Sequence, residues 1–121
     1  MELKLEIGSI VMNCNEFEKM IAFWQEALHY VPCDPPEENW VVLHDPEGKR
    51  SPNISLQRVS TKRRGRNRFH LDLRTDNREA EVNRLLKIGA KRHRQRYNPD
   101  DFCVLEDPDG NLFCVIKKGQ K

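Results

Sequence analysis

No stretch of this sequence approaches the roughly 18 consecutive apolar residues that a membrane span requires, so no transmembrane helix is expected. The first ten residues, MELKLEIGSI, have neither the basic start nor the apolar middle of a secretory leader, and a cytoplasmic location is the expectation. There is no CxxC pair. The four cysteines, Cys14, Cys33, Cys103 and Cys114, sit in or beside apolar runs, which suits reduced thiols used as small buried residues and predicts no disulfide. Aromatic residues are scarce, at 7%, and charge of either sign barely prevails: 33% of residues are charged but the net is only +2. A mixed, solvated surface follows, without a global bias toward nucleic acid.

Positive charge is nonetheless concentrated locally, in TKRRGRNR (61–68) and KRHRQR (91–96). No aromatic residue interleaves with these basic residues, and no zinc, helix-turn-helix or stacking signature accompanies them. They read as a solvated linker and a strand edge, with Arg66 and Arg68 available to a pocket edge, and nucleic acid is not an expected partner.

What the chain does contain is a repeat. WVVLHDPEG (40–48) lies over FCVLEDPDG (102–110) at an offset of 62, with the apolar positions matched and the turn residues Asp, Pro and Gly identical. Upstream the offset is 61, and there Asn15 with Glu18, and Asp76 with Glu79, have capping-box spacing for a helix start. The first helix would bury Phe17, Met20, Ile21, Trp24 and Leu28; the second would bury Val82, Leu85 and Leu86 and stop at Gly89. Strand-like runs precede each helix (LKLEIGSIVMN and RFHLDLRT) and follow each turn (NISLQRV and NLFCVIKK).

The 121 residues therefore read as one α+β domain of two βαβββ modules, about 1–59 and 67–118, joined by a basic linker at about 60–66. A module of this size is marginal alone, so the expectation is two paired curved sheets with helices outside and a ligand cleft between them.

The two modules, AFWQEAL in the first helix, the NRFHLDL strand, the GA after the second helix and the closing EDPDGNLFCVI together resemble the vicinal oxygen chelate superfamily. That superfamily includes glyoxalases, extradiol dioxygenases and bleomycin resistance proteins, and in detail the chain is similar to its small bacterial glyoxalase-like domains. The resemblance implies a divalent-metal site to which each module gives a His or Glu from its first strand and another from its last. In this sequence those positions fall on Ser9 and Ser55 in the first module and on His70 and Cys114 in the second. Only His70 and Cys114 could coordinate, and catalytic sites usually keep three protein donors. No cofactor is therefore expected, with a divalent metal as the alternative.

The expected function is a glyoxalase-like small-molecule-binding domain lacking the complete metal site. Its ligand would be a polar or anionic organic molecule near Ser9, Trp40, Ser55, Gln57, His70, Asp72 and Cys114. The alternative is a lyase or dioxygenase-type enzyme with altered ligands, or metal-free acid–base chemistry by His70 and Asp72, which share a strand face at a spacing of two. A Cys114–His70 nucleophile pair is a further reading. Trp24 is expected in the core and Trp40 at a ligand rim; His44 and His93 are expected to be exposed, and His29 to cap a helix end. Open sheet edges favour a homodimer.

Overall fold

The computed structural model describes residues 6–61, 70–93 and 103–118. It divides into two compact units, Met1–Lys62 and Arg63–Lys121. All but Thr61 of the first basic segment, including Arg63, Arg64, Arg66 and Arg68, half of the second (94–96) and most of the expected linker (62–66) fall outside the described residues.

Each unit is a βαβββ module. The first runs β1 (Ser9–Cys14), α1 (Phe17–Leu28), β2 (Val31–Pro32), β3 (Trp40–His44) and β4 (Asn53–Arg58). The second runs β5 (Leu71–Thr75), α2 (Arg78–Lys87), β6 (Lys91–Arg92), β7 (Cys103–Glu106) and β8 (Leu112–Lys117). Strand order is β1-β4-β3-β2 in one sheet and β5-β8-β7-β6 in the other. In both, the first and last strands of the module pair in parallel and the remaining pairs are antiparallel. A parallel pair requires a crossover, which here includes the helix, whereas the antiparallel strands need only turns.

The first module is built around aromatic side chains. Phe17, Met20, Phe23 and Trp24 of α1 are almost fully buried, and the Phe23 and Trp24 rings meet edge to face with centroids 5.0 Å apart. Val41 and Leu43 of β3 and Ile54 and Leu56 of β4 complete this core at a period of two. The second module relies on smaller groups: Val82 and Leu85 of α2, Val104 and Leu105 of β7, and Phe113, Val115 and Ile116 of β8. Ile21, Leu28 and Leu86, expected in the core, are only half-buried; Phe23 and Ala27 take the inner face of α1 instead.

Neither helix starts as its capping-box spacing predicts. α1 begins after Glu16, which gives no side-chain cap, and the Asn15 amide nitrogen donates to the Val59 and Thr61 carbonyls at 2.8 and 3.2 Å. Glu18 pairs with Arg58 of β4, whose guanidinium also lies over the Phe17 ring at 4.7 Å. In α2 the cap is Asn77, one residue later than expected, and its Oδ1 accepts from the Ala80 N–H at 3.1 Å. The far ends differ as well. Gly89 follows α2 with φ +126°, whereas α1 ends on His29 in the left-handed conformation at φ 58°. His29 thus ends the helix through its backbone, and Arg50 donates to its carbonyl at 3.5 Å.

The twin DPxG turns behave identically in kind. The Asp45 carboxylate accepts from the Glu47, Lys49 and Arg50 N–H groups at 3.1, 3.0 and 2.9 Å. These bonds, Glu47 foremost, hold the buried Asp45 pKa at about 2 against the upward pull of desolvation. The Asp107 carboxylate accepts from the Asp109 and Asn111 N–H groups, both at 2.9 Å, and from the Asn111 amide at 2.8 Å. Gly48 and Gly110 end the turns at φ 69° and 86°, where a side chain would be strained.

Candidate functional site

Strand register shows which residues of the two modules are equivalent. In the first module Val11 of β1 pairs with Ser55 of β4, and in the second Asp72 of β5 pairs with Cys114 of β8. The repeat offset of 61 carries Ser9 to His70 and Val11 to Asp72. Ser9 and Ser55 therefore match His70 and Cys114 in position. The period of two places all of them, with Gln57 two residues beyond Ser55, on the sheet face opposite the strand positions that feed the core.

In the first module the two serines engage each other, Oγ to Oγ at 2.5 Å. Ser9 is exposed while Ser55 is 1% exposed, so Ser55 acts as a buried support for Ser9. Gln57 is exposed, and Trp40, half-buried, stands opposite it across β3 and β4. The neighbouring Val11 side of the strand is apolar and exposed. This face offers hydroxyl, amide and indole groups but no titratable group among those four residues.

The second module is different in kind. His70 Nε2 lies 3.2 Å from Asp72 Oδ1, with both side chains about half exposed. Ligand atoms of His70, Asp72 and Cys114 all fall within 4.8 Å of one another, the one His/Cys/Asp/Glu cluster of this kind among the described residues. Burial, then the Asp72 charge and its hydrogen bond to the thiol, push the half-buried Cys114 up to about 11. A thiol so placed carries less thiolate near neutrality than an ordinary cysteine. After burial, Asp72 contributes most: it sits beside the sulfur as an acceptor and a like charge to the thiolate. Arg74 is exposed two residues farther along the same strand.

Other expectations need adjustment. Trp24 is fully buried, as expected. Of the cysteines only Cys14 is buried; Cys33 is exposed because β2 ends before it and it opens the loop to β3. None of the four is joined in a disulfide. His44 is half-buried, since β2 pairs beside it, and His93 is half-buried because the β6–β7 pairing brings its Nδ1 to 4.0 Å from Glu106 Oε1.

The sequence places Asp72 and Cys114 in one ligand site, and the register adds that they are direct cross-strand partners. The signal was present: projecting the first module's strand pairing through the offset makes those two residues direct neighbours. The sequence reading missed a cavity of about 530 Å³ at the start of α2, lined by Asn77, Arg78, Val82, Arg92, Cys103 and Lys117 among others. None of His70, Asp72 or Cys114 lines it. No described helix is long and apolar enough to cross a membrane.

Comparison with known proteins bears on this arrangement. No curated protein matches the chain by sequence. Among solved structures, a glyoxalase/bleomycin resistance protein/dioxygenase family enzyme from Burkholderia phytofirmans is 17% identical with a TM-score of 0.75, covering 93% of this chain and 98% of that one. A glyoxalase-related enzyme from Fulvimarina pelagi is 13% identical at a TM-score of 0.70, covering 93% and 88%. The trypanothione-dependent glyoxalase I of Leishmania major is 15% identical at 0.69, covering 95% and 88%. These likenesses establish the fold. The model of the glyoxalase-like domain family matches residues 9–116, from the first residue of β1 almost to the end of β8, and with it the chain belongs to that family and to the vicinal oxygen chelate superfamily.

Proposed function

We propose that this is a small-molecule-binding domain of the glyoxalase-like type that works without the superfamily's four-ligand metal site. The observation that carries this reading is the register equivalence of Ser9 and Ser55 with His70 and Cys114, which leaves two of the four family ligand positions as hydroxyls already bonded to each other. Each module offers exposed polar groups, Ser9 and Gln57 on the first and His70 and Asp72 on the second, and these suit a polar or anionic organic ligand. The protein acts in the cytoplasm as a homodimer on this reading, and the exposed apolar side chains of Ile7 and Val11 favour the association.

A thermal-shift screen of small organic acids and phosphate esters, run with a chelator present, tests the reading. A compound that raises the melting temperature of the wild type, but not of Gln57→Ala or His70→Ala, is the expected result. Equal shifts in all three proteins would place binding elsewhere. A second reading is favoured by the His70–Asp72 contact at 3.2 Å: a carboxylate that orients an imidazole makes His70 a general base. Chelator-resistant exchange of an acidic C–H proton of the bound compound into D2O, lost in His70→Ala, would select it.

A further inference from the structure

The place that a buried phenylalanine fills in the first module is open in the second, and cations surround it. We propose that the cavity of about 530 Å³ at the start of α2 binds a small organic phosphate, at a site separate from the sheet-face residues Ser9, Gln57, His70 and Asp72.

Strand register defines the site. Arg92 of β6 pairs with Leu105 of β7, Cys103 of β7 pairs with Val115 of β8, and Lys117 lies two residues beyond Val115. Leu105 and Val115 are core residues, so the period of two puts Arg92, Cys103 and Lys117 on the core side of the sheet. Arg78, the first residue of α2, lines the same cavity. The same pairings in the first module select Pro32 opposite Leu43, Val41 opposite Leu56, and Arg58 two residues beyond Leu56, while Phe17 opens α1. There Phe17 and Val41 are each 2% exposed, and Arg58 lies over the Phe17 ring at 4.7 Å and pairs with Glu18. Position for position, Phe17 and Pro32 have become Arg78 and Arg92, and an apolar plug has become an open volume lined by three cations.

The lining selects the ligand. Besides Arg78, Arg92 and Lys117, which come from three different elements, it holds the carboxylates of Asp76 and Glu79. Asp76 lies 3.5 Å from Lys118 Nζ, which offsets its charge. Three cations less Glu79 leave +2, which matches the charge of about −1.5 to −2 on a phosphate monoester near neutrality. Guanidinium forks bond phosphate oxygens two at a time. Arg92 Nη1 donates to Cys103 Sγ, a weak acceptor, at 3.8 Å, and a phosphate oxygen is the stronger partner. The helix end is not the anion hook, because the Ala80 and Glu81 N–H groups already bond Asn77 Oδ1 and the Asn77 carbonyl, both at 3.1 Å. The volume exceeds what phosphate alone would fill and lies within the range of about 300–1,000 Å³ usual for small-molecule pockets. Asn83, Glu79 and Val82 supply polar and apolar contacts for a hydroxylated carbon skeleton.

Isothermal titration calorimetry of the full chain at low salt tests this, with glycerol 3-phosphate and ribose 5-phosphate as probes and inorganic phosphate and ribose as controls. The expected result is saturable binding of at least one of the two esters, one per chain, tighter than inorganic phosphate, with no binding of ribose. Arg92 and Lys117 are exposed, so Arg92→Gln and Lys117→Gln should fold, as circular dichroism would confirm, and each should weaken ester binding at least about tenfold. Gln57→Ala and His70→Ala should leave it unchanged, so failure of the sheet-face reading does not touch this result. No saturable binding of either ester, binding that is unaltered in Arg92→Gln, or binding lost in His70→Ala would overturn the proposal; the last would put the phosphate on the sheet face.

Discussion

The two modules share a backbone plan and a turn, and differ in what their equivalent positions carry. Asp45 and Asp107 are both buried and both collect the N–H groups of a DPxG turn. On the sheet face, by contrast, Ser9, Val11 and Ser55 of the first module stand where the second has His70, Asp72 and Cys114. Turn chemistry is fixed by the need to satisfy backbone donors, a need both copies share. The face carries no such obligation, so one copy could become a quiet hydroxyl surface while the other gathered titratable donors.

The cores diverge too, and this supplies the largest expected effect. Trp24 is fully buried and packs edge to face on Phe23, whereas Leu85 is the deepest residue of α2. Trp24→Ala should cost about 3–5 kcal/mol and Leu85→Ala about 2–4 kcal/mol. Urea unfolding followed by circular dichroism measures both. If Leu85→Ala proved the more damaging, the first module would not be the better-packed half of the molecule.

Next in size is a contrast between thiols. The shift of Cys114 from an ordinary value near 9.0 to about 11 leaves about 100-fold less thiolate near neutrality than a free cysteine has. With iodoacetamide at pH 8, exposed Cys33 should be alkylated first and Cys114 slowest of the accessible thiols. Asp72→Asn removes the charge that opposes the thiolate and should speed Cys114 alkylation, with the rate still rising between pH 9 and 11. A Cys114 that reacted as fast as Cys33 in the wild type would mean that Asp72 does not govern it. Mass spectrometry of tryptic peptides separates the four sites.

How much of this could be read beforehand depends on how local the signal is. The modules, the turns and both helices were legible, because a repeated phrase with identical turn residues constrains the backbone twice over. The burial of Trp24 was legible for the same reason as the rest of the α1 stripe. The helix starts were not, since Asn15 and Glu18 have partners distant in sequence, Val59 and Arg58, which no capping pattern contains. His70 and Asp72 were legible as a strand-face pair. Their third member, Cys114, required the parallel pairing of β5 with β8, a contact between segments about 40 residues apart. The exposure of Cys33 was hidden by the shortness of β2, which an apolar run does not announce.

The smallest expected effect returns to the two equivalent faces and asks which of them the fold needs. Ser55 is buried, so Ser9→Ala leaves its hydroxyl without the Ser9 oxygen, at a cost of about 1 kcal/mol. His70 is the positional twin of Ser9, but its side chain is 54% exposed and its contact is with the equally exposed Asp72. Exposed pairs of this kind contribute little, and His70→Ala should change unfolding free energy by less than about 0.5 kcal/mol. The same substitution that barely touches stability should remove ligand binding by the second module's face, whereas Ser9→Ala should destabilise the chain. Urea denaturation of the two variants, side by side, decides it. A His70→Ala protein less stable than Ser9→Ala would mean that the His70–Asp72 pair holds the fold together, and that the second module's face is structural in the way the first module's serine pair is.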